Sequence, residues 1–198
     1  MTSVLWMLDN LATLGGQAPQ ILGAPRLVDT EHGPATAFDG QQDGLIVPVL
    51  PLAGAEHFTM EMFFCPAPGG EREQRVLHLQ EDGSESRALI ETRVADEAHW
   101  FLDTCIWSGP ARHTLYAEAS LHPFGPWYHV ALVHAGAQMR HYVDGRQELS
   151  AAMPFEPFSV GKTSLGVRLN RVSWFRGIIR AVCFTPRVLS PASFELRA

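Results

Sequence analysis

WYHVALVHAGAQMRHYVDG, residues 127–145, is the stretch on which the fold turns. Apolar residues alternate through Trp127–His134 and again through Met139–Val143, with only Ala135-Gly136-Ala137 between them. Period-two alternation broken by a short Gly-containing turn predicts a β-hairpin. The second arm stops at Asp144-Gly145, a dipeptide suited to a tight turn because glycine takes positive φ without steric cost. Trp127 and Tyr142 are large enough to anchor both arms in a sheet core.

The same alternation recurs outward from this hairpin. Phe58, Met60, Met62 and Phe64 share one face of HFTMEMFF, and Thr59, Glu61 and Phe63 the other. Arg75–Gln80 and Arg87–Arg93 are expected to pair through the turn residues EDGSES, with Trp100–Trp107 and Arg112–Tyr116 following. Thr36–Phe38 and Leu45–Val47 flank DGQQDG and read as another hairpin. Thr163–Asn170 and Trp174–Thr185 read as the last long strands. Ser3–Asp9 reads as a first strand pairing with the C-terminal one, residues 10–34 as an irregular arm, and Ser190–Leu196 as a short helical turn. Many short strands without intervening helices predict an all-β sandwich or barrel. At 198 residues and 46% hydrophobic content, one domain over 1–198 is expected, with 1–34 as its N-terminal arm.

Composition excludes several functions. The formal charge is −6, and Lys and Arg form no block, so neither nucleic acid nor an anionic membrane is expected as a partner. Residues 1–14 lack a basic start and carry Asp9 within the apolar stretch. That is not a secretory signal, no run approaches the ~18 apolar residues of a membrane span, and a cytoplasmic location follows as the expectation. Three cysteines, Cys65, Cys105 and Cys183, have no CxxC spacing and read as small buried hydrophobes. Nine dispersed histidines form no zinc motif. Calcium would suit Asp39, Asp43 and loop carbonyls, but the Asp-Gly dipeptides already explain both aspartates as turn formers. No metal or cofactor is expected.

Four blocks, TAFDGQQDGLIVP, FTMEMFFCP, WYHVALV…YVDG and SLGVRLNRVSWFRGIIRAVCFTPRVLSPASF, together resemble a laminin-G-like domain of the concanavalin A-like lectin and glucanase superfamily. The resemblance implies a two-sheet antiparallel jelly-roll sandwich, one sheet curved so that its outer face forms a groove. Many relatives bind glycan on that face, often beside calcium; some are hydrolases or lyases, and others mediate protein contacts. The carboxylate-rich strand of glucanases on this fold, ExDxxE or ExDxE, is absent, and Glu61, Glu91 and Asp103 fall on three different strands.

Polar residues on separate strands define the candidate site. His78 and Gln80 share one face, as do Arg87, Glu91 and Arg93, and Ser164, Arg168 and Asn170. Any half-solvated strand shows such alternation, so a wet face with cross-strand ion pairs is the plainer interpretation. The sharper one gathers Glu61, His78, Glu91, Arg93, Arg168 and Asn170 in the groove, suited to a uronate or another acidic sugar. Trp100 joins this set as a stacking partner; like Trp107 and Trp174 it could instead fill core, whereas Trp6 and Trp127 are assigned to core. Carbohydrate binding is the expected function. The first alternative is an enzyme acting on an acidic or oligomeric sugar through His78, Glu91 and Arg93. The second is a protein-interaction or homo-oligomerisation module.

Overall fold

The computed structural model describes residues 2–196. In chain order the first strands are β1 (Val4–Met7), β2 (Gln20–Leu22), β3 (Arg26–Val28), β4 (Ala35–Asp39), β5 (Gly44–Val47), β6 (Phe58–Pro66), β7 (Glu73–Glu81) and β8 (Arg87–Val94). They are followed by β9 (His99–Ser108), β10 (Ala111–Tyr116), β11 (His122–Pro123), β12 (Tyr128–Ala135), β13 (Gln138–Val143), β14 (Arg146–Ala152), β15 (Gly161–Leu165) and β16 (Arg176–Thr185). A 3₁₀ turn, Pro191–Ser193, lies within the stretch expected to be helical.

Two antiparallel sheets of eight strands form a sandwich. The first runs β14-β13-β12-β6-β16-β4-β3, with β1 also on β16; the second runs β10-β9-β8-β7-β15-β5-β2, with β11 on β9. The quoted stretch folds as β12 and β13, and Gly136 takes the positive φ its turn needs. Asp144 and Gly145 both have positive φ, which turns the chain into a further strand, β14, that alternation did not reveal. The expected pairing of the first strand with the last holds, Val4 lying opposite Phe184.

Phe58, Met60, Met62 and Phe64 of β6 face Leu77, Leu79, Ile90, Trp100 and Leu102 of the second sheet, sealing one continuous core. Three expectations change. β4 and β5 belong to different sheets, so DGQQDG is a crossover and not a hairpin. The Asp39 carboxylate accepts the N–H groups of Gln41, Gln42 and Asp43, and Asp43 accepts those of Ala24 and Asp39. Both aspartates therefore build the bend itself. The arm before residue 35 contributes β2 and β3 as short edge strands. Finally, Trp127 is only half-buried, stacked on Phe63 at 5.1 Å, and Tyr142 is buried on the outer side of the first sheet against Phe194.

Candidate functional site

The two outer faces differ. That of the first sheet is apolar as well as its inner one: Ala131, Val133 and Tyr142 form a second small core with Leu189 and Phe194 of the C-terminal segment. Glu61 lies beneath this cover, fully buried, bonded to His129 Nε2 at 3.0 Å and accepting the N–H groups of Glu195 and Leu196. Among the described residues the outer face of the second sheet carries no comparable apolar cover, only the segment between β15 and β16, and two depressions lie on it.

The smaller, about 180 Å³, is lined by Arg75, Arg87, Glu91, Arg93, Asp103, Arg168 and the less polar Leu89, Cys105 and Trp107. β8 and β9 supply its centre in direct register, Arg87 opposite Trp107, Leu89 opposite Cys105 and Glu91 opposite Asp103. Burial pushes the Glu91 carboxyl up to about 8; neighbouring Asp103 adds to this, and Arg75 and Arg93 oppose it. Asp103 is raised as well, by burial against the pull of Arg93. Burial and the close approach of the two acids thus both favour a proton kept between them. Arg93 donates to Asp103 at 2.7 Å and reaches Glu91 at 3.4 Å, and it pairs with Glu73; Arg75 pairs with Glu91 and Glu73. Arg87 donates to Glu85 and lies flat over Trp107, 3.5 Å from the ring centroid.

The segment between β15 and β16 crosses this face. Gly166, at φ 76°, ends β15, and Phe175 N–H closes the excursion on Gly166 O. Three bonds tie it to β7: Gly166 N–H to Val76 O, Arg75 N–H to Ser173 O, and Leu169 N–H to His78 Nδ1. Arg168 faces the arginine pocket on one side, while Leu169 and Arg171 line the larger depression on the other. That trough, about 740 Å³, lies between this segment, β5, β15 and the β7–β8 turn, and is bordered by Gln20, Ile46, Pro48, Gln80 and Lys162.

The expected site is therefore gathered in part. Glu91, Arg93 and Arg168 line the smaller depression, whereas His78, on the same sheet, is fully buried beneath the crossing segment and lines neither depression. Glu61 is not among them: it lies on the other sheet, under the C-terminal cover. Trp100 cannot meet a ligand either, since it is fully buried between the sheets, 5.6 Å from Phe64 and 5.1 Å from Tyr128. Its parity with Leu102 and Ile106 was the signal that it points inward. Asn170 is exposed on the crossing segment and lines neither depression, because the strand expected to run to it stops at Leu165. Trp107 is half-buried in the pocket, and Trp174 packs beside Gly44. Arg75 escaped the sequence reading because a bulge between Arg75 and Leu77 shifts the alternation of β7.

The sequence matches a laminin-G model described as concanavalin A-like lectin/glucanases superfamily over residues 39–193. No curated protein matches it. Among solved structures, the chain superimposes on domain 4 of an extracellular arabinanase from Geobacillus stearothermophilus in complex with arabinotriose, with TM-score 0.71 and 17% identity over 97% of each chain. It is similar to the binding domain of Paraclostridial Mosquitocidal Protein 1, with TM-score 0.71 and 10% identity over 96% of this chain and 50% of that one. It also resembles the CBM40 of a Ruminococcus gnavus IT-sialidase bound to α2,3-sialyllactose, with TM-score 0.57 and 17% identity over 69% and 78%. At these identities the likeness is one of fold.

Proposed function

Because the chain belongs to the concanavalin A-like lectin/glucanases superfamily, we propose that it binds a glycan on the uncovered outer face of its second sheet. The trough of about 740 Å³ carries this reading. It falls within the ~300–1,000 Å³ range of small-molecule sites. Ile46, Pro48 and Leu169 offer apolar surface to a sugar ring, while Gln20, Gln80, Lys162 and Arg171 offer hydrogen bonds to its hydroxyls. The sugars named with two of the similar structures, arabinotriose and sialyllactose, point the same way.

Two observations favour binding over turnover. The Glu91 and Asp103 carboxyls are within hydrogen-bonding reach of each other, whereas carboxylates that flank a glycosidic bond stand roughly 5–9.5 Å apart. His78, pushed down to about 3 chiefly by burial, is too weak a base to abstract a proton efficiently near neutrality. Calorimetric titration with arabinotriose and sialyllactose, alongside a glycan array, tests the reading. Binding to at least one sugar, weakened by Lys162→Ala or Gln20→Ala, is expected. Silence across the array would overturn it.

A further inference from the structure

His78 has its Nδ1 occupied as an acceptor of the Leu169 N–H at 3.2 Å. A nitrogen that accepts a hydrogen bond carries no proton, so the proton of the neutral ring sits on Nε2. That Nε2–H is buried and has no partner. A buried donor left without an acceptor is costly, and such groups are rare in folded proteins.

Among the described residues none bonds it: Ser164, directly opposite on β15, turns its hydroxyl to Val167 O. The charged groups acting on His78 are the guanidinia of Arg168, Arg87 and Arg75, all donors. Arg87 carries a second orphan, its buried Nε. Glu91, Asp103, Glu73 and Glu85 are engaged with Arg75, Arg93 and Arg87. Arg168 makes no ion pair with any of them; burial and the nearby Arg87 and Arg75 disfavour its charge, and the more weakly acting Glu91 and Glu85 favour it. In a chain of formal charge −6, four arginines, Arg75, Arg87, Arg93 and Arg168, thus line one pocket beside Glu91 and Asp103, and Arg168 is paired with neither acid.

We infer that Arg168, Arg87 and Arg75, with buried His78 behind them, form a receptor for the carboxylate or sulfate ester of an acidic sugar. This rests on the glycan reading above and adds its ligand class. The sugar would dock at the mouth of this pocket with its anionic substituent turned under Arg168. The pocket of about 180 Å³ has room for the substituent, and the ring would lie outside it on the face of the second sheet.

Calorimetry on the full chain decides it, with D-glucuronate, D-glucose, glucose 6-sulfate and inorganic sulfate as probes. A charge-assisted contact of this kind is worth roughly ten- to hundredfold in affinity. At least one acidic sugar is therefore expected to bind roughly tenfold or more tightly than glucose. Arg168→Gln, a change on a partly exposed segment, should erase that preference and leave glucose unaffected. The ¹⁵N signal of His78 Nε2 should shift on adding the acidic sugar and not on adding glucose. Preference for glucuronate assigns the carboxylate, and preference for the 6-sulfate assigns the ester. Equal affinity for acidic and neutral sugars, or a preference surviving Arg168→Gln, overturns the inference and leaves the glycan reading standing. Binding of inorganic sulfate alone, lost in Arg168→Gln, supports the oxyanion receptor and overturns the glycan reading.

Discussion

Glu91 on β8 and Asp103 on β9 stand directly opposite each other, and Arg93 is bonded to Asp103 at 2.7 Å while reaching Glu91 at 3.4 Å. Two acids in one buried site cannot both ionise cheaply, so the pair keeps a proton that the unfolded chain would release. Neither carboxyl is free to work independently, and the pair fixes the spacing of the guanidinia around it.

Stability should respond to pH through this pair. Unfolded, Glu91 titrates near 4.5; folded, at about 8. Across that interval the folded state binds the extra proton, so raising the pH favours unfolding. His78 and His141, pushed down to about 3 and about 4, work in the opposite direction, but only below their ordinary value of 6.5. Between pH 6.5 and 8 the Glu91–Asp103 pair therefore acts without these two histidines, and the loss is about 2 kcal/mol at most. Urea unfolding at pH 6.5, 7.2 and 8 measures it. Glu91→Gln should flatten the slope, whatever it does to absolute stability; an unchanged slope would assign the effect to another group.

Gly166 sets the path of the crossing segment. Its φ of 76° is one that other residues adopt only with strain, and a Cβ there would run into the Phe38 ring. Gly83, at φ 68° with open space around it, supplies the comparison. Gly83→Ala should cost about 1 kcal/mol from backbone strain alone, and Gly166→Ala about 2–4 kcal/mol from strain and overpacking together. Thermal melting of the two variants reads the difference. Equal losses would mean that Phe38 yields without penalty.

Glu61 has a structural task on the opposite layer. Its oxygens accept the Glu195 and Leu196 N–H groups, and a glutamine amide would turn a donor towards one of them. Glu61→Gln should speed hydrogen exchange at these two amides while sugar affinity stays within about twofold, since the sites are far apart and independent. Loss of sugar binding in this variant would put the ligand on the wrong sheet.

How much of this could be read in advance depended on how local each signal was. The β12–β13 hairpin needed only its own alternation and Gly136. The pairing of β7 with β8 needed only one turn. Glu91 and Asp103 meet because β8 and β9 align in register, which neither strand contains by itself. Arg168 and Asn170 were placed by extending the alternation of β15 past Gly166, where the backbone leaves the sheet. Glu61 was misplaced because polar alternation says which residues face away from the core, not which of two layers they face away from. The C-terminal cover over it comes from more than a hundred residues later in the chain.

Cys105 sits in the arginine pocket, opposite Leu89, with its thiol pushed up by burial. Any group that settles among the guanidinia would also close the way to that sulfur. Alkylation of Cys105 by iodoacetamide, followed by mass spectrometry, thereby becomes a native gauge of occupancy, with half-buried Cys65 on β6 as its clock. Saturating acidic sugar should slow labelling at Cys105 and leave Cys65 unchanged; parallel rates would mean the sugar docks elsewhere.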